Sequence, residues 1–221
     1  MQQYKVTLTG DTPFLMHADN IIFSDKVRKW YEEPSNKKRA EKGSDRSPAW
    51  TWIGYLYHNT KHVVIPDDNI MTMLRDGGSQ ITFSGKQTFK KQTQSGILVD
   101  ANFDFYNNGK LVDMTPIEDL LHVNDFEAHL EKIKDLGFEL LVKRAKIGTQ
   151  KHIRVRPLFR RWSAVGSVTV LDENMYGITE KVLTDILTYA GALCGLGDWR
   201  PSSPKSGGSY GKFSPEIELI G

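Results

Sequence analysis

Periodicity places the strands of this chain in groups and the helices between them, and that order constrains the fold more than any other feature. Tyr4–Gly10 alternates apolar and polar residues and predicts a half-buried strand, ended by Gly10-Asp11-Thr12-Pro13. Ser24–Arg46 reads as a polar helix around Val27, Trp30 and Tyr31 followed by a charged loop, the best candidate for an exposed insertion. Ala49–Tyr57 is aromatic and strand-like, and His62–Ile65 is a short strand. Pro66-Asp67-Asp68 opens a helix to about Arg75, with Gly77-Gly78 as its stop. Phe103–Met114 predicts a hairpin around Asn107-Asn108-Gly109. Ile117–Leu136 is helical with a break near Asn124. Three strands follow, Phe138–Ile147, Ile153–Phe159 and Trp162–Leu171, the first two separated by Gly148-Thr149-Gln150. Ile178–Leu193 is an amphipathic helix with Thr179 at its N-cap, and Tyr210–Ile220 is the last strand.

This order predicts an α+β fold in which helices cover one face of a mostly antiparallel sheet. The closing strand–helix–strand unit points to a ferredoxin-like, RRM-like βαββαβ arrangement, with the other sheet face left for ligands. The expectation is one domain over residues 1–221, carrying an inserted helix and loop at about 24–48. The length suffices for a core without disulfides or a structural metal, and a lone Cys194 excludes a disulfide framework or a cysteine zinc cluster. No apolar run approaches 20 residues, so no membrane span is expected. The polar MQQYKVTLTG start is unlike a signal peptide, which predicts a cytoplasmic protein.

Charge is segregated. Between Leu140 and Leu171 there is no acidic residue, while Lys143, Arg144, Lys146, Lys151, Arg154, Arg156, Arg160 and Arg161 all fall there. The chain's net charge is +2, and taking those eight away leaves −6. A cationic block on an acidic body predicts a partner with repeated negative charge, and nucleic acid fits best. In a strand over Ile153–Phe159, Arg154 and Arg156 share one face, and Ile153 and Val155 the other. Across the preceding strand Lys143 and Ala145 share a face opposite to that of Arg144 and Lys146. His152 lies in the same strip as a polar contact to the ligand. Lys86, Lys90 and Lys91 around Phe89 form a second cationic segment, where the ring would stack a base and the ammonium groups would pair phosphates.

A glycine-rich segment lies between the last helix and the last strand. It runs Gly195-Leu196-Gly197-Asp198-Trp199-Arg200-Pro201 and on through Lys205, Gly207 and Gly208 to Tyr210-Gly211-Lys212-Phe213. Small residues allow close backbone approach, and free N–H groups can take phosphate oxygens. Trp199 beside Arg200 is a stacking candidate, and Gly197, Gly207, Gly208, Lys205 and Lys212 belong to the same expected interface. It is neither a Walker loop nor a dinucleotide fingerprint, because neither glycine spacing is present.

Gly195-Leu196-Gly197 together with Gly207-Gly208-Ser209-Tyr210-Gly211-Lys212-Phe213, a glycine-rich loop before the last strand ending in Y-G-K-F, resembles the RAMP (repeat-associated mysterious protein) superfamily of CRISPR systems. Leu8–His17 is similar to the first strand and loop of such folds. The segment 24–57 departs from the family pattern, which points to a divergent relative such as one carried by a phage or another mobile element. The resemblance implies a ferredoxin-like fold, binding of single-stranded nucleic acid with RNA favoured, and assembly of copies side by side along the strand as a homo-oligomer or filament.

A non-catalytic binding module is the leading expectation, with no cofactor. The alternative is a metal-independent endoribonuclease using His17 or His152 as acid–base group beside a lysine. A further alternative is a phage-type protein-interaction factor that inhibits a host defence complex, its basic strip meeting an acidic protein. No metal site is expected. His58 and His62 sit in strand-like surroundings, and His122 and His129 read as helix surface. Trp50, Trp52 and Trp162 are expected in the core.

Overall fold

The structure is a computed structural model that describes residues 1–37, 48–147, 150–204 and 207–221, with 144–147 and 150–154 described as strand backbone alone. In chain order the strands are β1 (Gln2–Gly10), β2 (Phe14–Leu15), β3 (Val64–Ile65), β4 (Thr82–Ser84), β5 (Gln87–Thr88), β6 (Ile97–Val99), β7 (Phe103–Asn107), β8 (Lys110–Leu111), β9 (Glu139–Ile147), β10 (Gln150–Phe159), β11 (Trp162–Val170) and β12 (Phe213–Leu219). The helices are α1 (Ile21–Glu32), α2 (Pro34–Lys37), α3 (Asp67–Gly78), α4 (Lys90–Gly96), α5 (Thr115–Glu118), α6 (Phe126–Leu136), α7 (Glu173–Tyr176) and α8 (Glu180–Tyr189). The chain divides into two compact units. One comprises Met1–Leu15, His58–Val112 and Phe159–Gly221, the other Met16–Tyr57 and Asp113–Leu158. The helical part of the insertion expected at 24–48 falls within the second unit, which also takes in the chain from Asp113 to Leu158, and its charged loop over 38–47 lies outside the described residues.

The first unit is an antiparallel sheet in the order β12-β1-β11-β7-β3. Alternation decides its two faces. Tyr4, Val6 and Leu8 of β1 and Ala164, Val168 and Val170 of β11 are buried on one side, with Phe103 and Phe105 of β7. Helices α3 and α8 pack against each other, and α8 also packs against β12. Burying each of these large apolar side chains stabilises the fold by about 1.5–3 kcal/mol. Helix α8 starts where Thr179 accepts a hydrogen bond from the Val182 amide, as the sequence predicts. A π-helical turn, Ala190–Cys194, closes its C-terminal end. The Trp162 ring lies in an aromatic cluster with Phe14 and Phe105. The mixed α+β, mostly antiparallel architecture is the one the element order predicts.

The second unit holds a core around Trp52, which lies 5.8 Å from Phe138 and 6.0 Å from His129 between ring centroids. Both Trp52 and His129 are fully buried. The expected strand at Ala49–Tyr57 is instead a 3₁₀ helix over Ala49–Tyr55. Its aromatic residues meet helices rather than a neighbouring strand. Trp50 stacks edge-on against Phe23 of α1, and the Ala49 amide donates to Asn124 Oδ1. Gly54 permits this, because a Cβ there would stand 2.1 Å from the Phe23 ring. His129 is core, not helix surface as the sequence led us to expect. Trp52 Nε1 donates to its Nδ1 at 3.0 Å, and its Nε2 lies 2.8 Å from the Val123 carbonyl, which fixes Nε2 as the protonated nitrogen.

Candidate nucleic-acid interface

The acid-free stretch forms a two-stranded ribbon in the second unit. β9 and β10 pair antiparallel from Gln150↔Ile147 to Leu158↔Glu139. Lys143 stands opposite Arg154 and Lys146 opposite Lys151, while Arg144 stands opposite Ile153. These pairs have alternate parity, so the cationic positions fall on both faces of the ribbon rather than in one strip. The side chains of Arg144, Lys146, Lys151, His152 and Arg154 lie outside the described residues, as does Lys205. Lys143 is exposed.

Arg156 corrects one expectation. It is only 5% exposed and belongs to the packed base of the ribbon, not to a ligand-facing row. Position 156 pairs with Leu141 and is followed by Pro157 and the buried Leu158. There the ribbon face that carries exposed Lys143 turns to core.

Arg160 and Arg161 belong to the first unit, at the bend between β10 and β11, and both are exposed. They border a cleft of about 500 Å³ at the end of the sheet. Thr9, Gly10 and Ser163 form its strand side and the Asn108-Gly109 turn its other wall. Asn108 adopts φ 51° and Gly109 φ 76°, the left-handed pair that a tight hairpin requires. The Asn108 amide donates to the Arg161 carbonyl at 2.8 Å and pins the turn to the arginines. Among the described residues Arg161 forms no ion pair. The cations of α1 differ in this respect, since Arg28 is matched by Glu32 at 2.7 Å and Lys29 by Asp25 at 2.7 Å.

The Lys86 segment also lies in the first unit. Lys86, Lys90 and Lys91 are exposed, Lys86 in the β4–β5 turn and the other two at the start of α4. Phe89 is not available to a base. It is 8% exposed and packs edge-on against Phe83, 5.0 Å away. Phe83 is the exposed aromatic here, at 41%. It lies in β4, whose three residues are all exposed.

The glycine-rich segment is folded on itself rather than open to a phosphate. The Leu196 amide donates to the Gly211 carbonyl, Gly208 to Arg200, Tyr210 to Trp199, Gly211 to Pro13 and Ser202 to Cys194. A Cβ on Gly208 would lie 1.8 Å from the Trp199 carbonyl oxygen, and one on Gly211 1.8 Å from that of Leu196. Gly197 sits against the Leu15 carbonyl and Gly207 against that of Pro201. The glycines thus admit the chain's own backbone, not a ligand's. Arg200 is likewise committed. Its Nε donates to Ser202 Oγ at 3.0 Å and its Nη1 to the Gly197 carbonyl at 3.1 Å. The Lys212 backbone ties the segment to Thr12, with its amide donating to Thr12 Oγ1 at 2.9 Å. Trp199 remains half-buried at φ 50°, a backbone region that a tryptophan rarely adopts, with Tyr210 6.3 Å from it.

The open face of the first unit's sheet is polar and acidic. It carries Gln3, Lys5, Thr7 and Thr9 of β1, Ser163, Val165, Ser167 and Thr169 of β11, Glu216 and Glu218 of β12, and Asp104 and Tyr106 of β7. Asp100 closes the row by accepting from Gln3 Nε2 and Thr169 Oγ1 at 2.9 and 2.8 Å. Burial raises the Asp100 pKa, but hydrogen bonds from Ser167, Gln3 and Thr169 outweigh that and hold the carboxyl below its ordinary value. With one lysine against four carboxylates, and Tyr106 as its one aromatic, this face suits neither phosphates nor stacked bases.

His17, the alternative catalytic residue, lies edge-on to Tyr55 in the second unit, 4.8 Å between centroids, and its carbonyl accepts from the Tyr57 hydroxyl. No group of three or more His, Cys, Asp or Glu side chains is placed to hold a metal ion among the described residues. No helix among them is long and apolar enough to cross a membrane. No protein-family model matches the chain, and no curated protein matches it significantly.

Proposed function

We propose that this protein binds single-stranded nucleic acid, RNA in preference to DNA, without cleaving it. The observation that carries the reading is the β9–β10 ribbon, with cationic positions on both faces and no carboxylate between Leu140 and Leu171. Phosphates recur along a strand, and each that is neutralised releases counterions, so such a ribbon gains most from a polyanion. Exposed Arg160 and Arg161, and the Lys86–Lys90–Lys91 group with Phe83, extend the cationic surface of the first unit.

The sheet order of the first unit supports a ferredoxin-like reading. Taking β1, β7, β11 and β12 as its four principal strands, the order is fourth, first, third, second, with every neighbour antiparallel and α8 joining the last two. This is compatible with the RAMP resemblance, and with the side-by-side assembly along a strand that the resemblance implies. The acidic open face argues against the sheet platform that RRM-type modules use and in favour of the ribbon.

The test is direct. Protein freed of carried nucleic acid is titrated into fluorescently labelled single-stranded RNA, single-stranded DNA and duplex, with intact label length checked afterwards on a gel. The reading requires single strands to bind above duplex and to remain uncut in EDTA. Equal absence of binding to all three would overturn it.

A further inference from the structure

Every residue from Thr82 to Gln87 is exposed, so the β4–β5 hairpin stands out into solvent. Its strands pair through Thr82↔Thr88 and Ser84↔Gln87, and the Phe89 amide closes its base on the Ile81 carbonyl at 3.0 Å. Gly85 makes the turn at φ 57°, with nothing within 4 Å of where its Cβ would stand. The Phe83 ring meets buried Phe89 at 77°, and a Cβ on Gly177 would lie 3.3 Å from its Cε2. A perpendicular contact covers at most one face of a ring. Phe89 therefore anchors Phe83 and leaves a π-face to solvent.

Cations accompany this ring. No acidic residue lies between Gly77 and Val99, and Lys86, Lys90 and Lys91 are all exposed. Lys86 follows the Gly85 turn, and Lys90 and Lys91 follow directly on Phe89, the ring that Phe83 touches. Among the described residues none of the three forms an ion pair. Helix α7, which packs against α4, carries Asp172 and Glu173, and Asp172 Oδ1 already accepts from the Met175 amide at 2.9 Å. Cations alone attract any polyanion, duplex or single strand. An exposed ring adds a contact that only an unpaired base can make, because the bases of a duplex are stacked on one another. The other hairpin residues, Thr82, Ser84, Gln87 and Thr88, are polar, which suits a nucleic acid better than a bilayer, where affinity scales with buried apolar area. We propose that Phe83 stacks an unpaired base of the bound strand while Lys86, Lys90 and Lys91 pair its phosphates, so that this hairpin is the contact that tells single strand from duplex. The assignment deepens the nucleic-acid reading above and rests on it.

The experiment is fluorescence anisotropy of the full chain with a labelled oligouridylate, an abasic strand of the same length and backbone, and a duplex. Phe83→Ala should weaken the oligouridylate roughly tenfold, leave the abasic strand unchanged and narrow the gap between single strand and duplex. Phe83→Tyr keeps the ring and should bind as the wild type does. Phe83→Leu keeps apolar packing on Phe89 without a π-face and should behave as Phe83→Ala, with native circular dichroism. Replacing Lys86, Lys90 and Lys91 together by Ala should weaken the base-bearing and abasic strands alike. Equal loss for both strands in Phe83→Ala, or oligouridylate binding unaltered in Phe83→Ala and Phe83→Leu, rejects the stacking contact and leaves the function standing. Phosphatidylserine vesicles bound through Phe83, with RNA binding untouched by its replacement, would assign the hairpin to a membrane and overturn the proposal. Failure of the wild type to bind any of the three nucleic acids overturns the functional reading itself, and the hairpin's role with it.

Discussion

Neutralising the ribbon should change the salt dependence of binding more than any other substitution. The positions to remove are Lys143, Arg144, Lys146, Lys151 and Arg154, each to Ala. Arg156 is left in place because it is buried. For single strands, log K falls with log salt by about 0.7 for each phosphate engaged. If each of the five positions engages one phosphate, the ribbon contributes about −3.5 to the slope. A fourfold rise in salt, from about 50 to about 200 mM, then costs the ribbon's share roughly a hundredfold in affinity. Arg160 and Arg161 would add about −1.4 and remain in the variant. Fluorescence anisotropy with a 3′-labelled RNA, titrated at several potassium chloride concentrations, reads both slopes. The wild type should lie near −5 and the five-fold variant near −1.5, as order-of-magnitude values. Affinity should fall alike for unrelated sequences, because phosphate contacts carry no sequence information. A variant slope equal to that of the wild type would refute the ribbon's role, whatever the absolute affinity.

Arg156→Ala should act on stability rather than on binding. Truncating a buried side chain of this size removes its packing in the base of the ribbon, seen as a lower urea midpoint, with the salt slope of binding unchanged. Trp52→Phe removes the donor to His129 Nδ1 and leaves a buried acceptor unsatisfied, a cost of about 1–3 kcal/mol. In a double-mutant cycle with His129→Leu that cost should shrink markedly, and strict additivity would argue against the bond's contribution. Asp100→Asn should flatten the acid limb of the stability curve. Its folded pKa is lowered, so its contribution is present above the ordinary carboxylate pKa and is lost as pH falls through the folded value. Thermal melts below about pH 4 should therefore separate wild type from variant less than melts at pH 7. A separation that stays constant across that range would count against it.

Much of the fold was legible because it is written in local patterns. Period-2 alternation in Tyr4–Gly10 and Trp162–Leu171 marks the two central strands, and Asn107-Asn108-Gly109 marks a hairpin. Thr179 and the break near Asn124 mark helix limits that the structure reproduces. Segments whose partners are distant in sequence were not legible. AWTWIGYLY has strand composition, but its environment is helical, and only Gly54 hints at the ring packed against it. His129 looked like helix surface because its partner, Trp52, lies 77 residues away. The cationic stretch was visible as composition, yet the burial of Arg156 depends on where the ribbon meets the core of its unit. The glycine-rich segment misled for a physical reason. Glycine signals that something approaches closely, and sequence does not say whether that is a ligand or the chain itself. At Gly208 and Gly211 it is the chain.

That distinction changes where a polyanion can be held. Besides the Lys86 segment, the sequence offered the sheet face, the glycine loop and the basic strands as a phosphate cradle. The sheet face carries Asp100, Asp104, Glu216 and Glu218 against Lys5, so a phosphate there would meet net repulsion. The loop's amide donors at Leu196, Asp198, Ser202, Gly208, Tyr210 and Gly211 already serve backbone carbonyls, and withdrawing them for a ligand would leave those carbonyls unpaired. The ribbon remains, because its backbone bonds lie across its own strands and the sequence from Leu140 to Leu171 holds no carboxylate. A surface that binds without dismantling its own hydrogen bonds retains more of the gross attraction as net affinity. On that ground the proposed nucleic-acid binding rests on the strands from Lys143 to Arg154, and the described backbone of the loop serves to tie down the last strand.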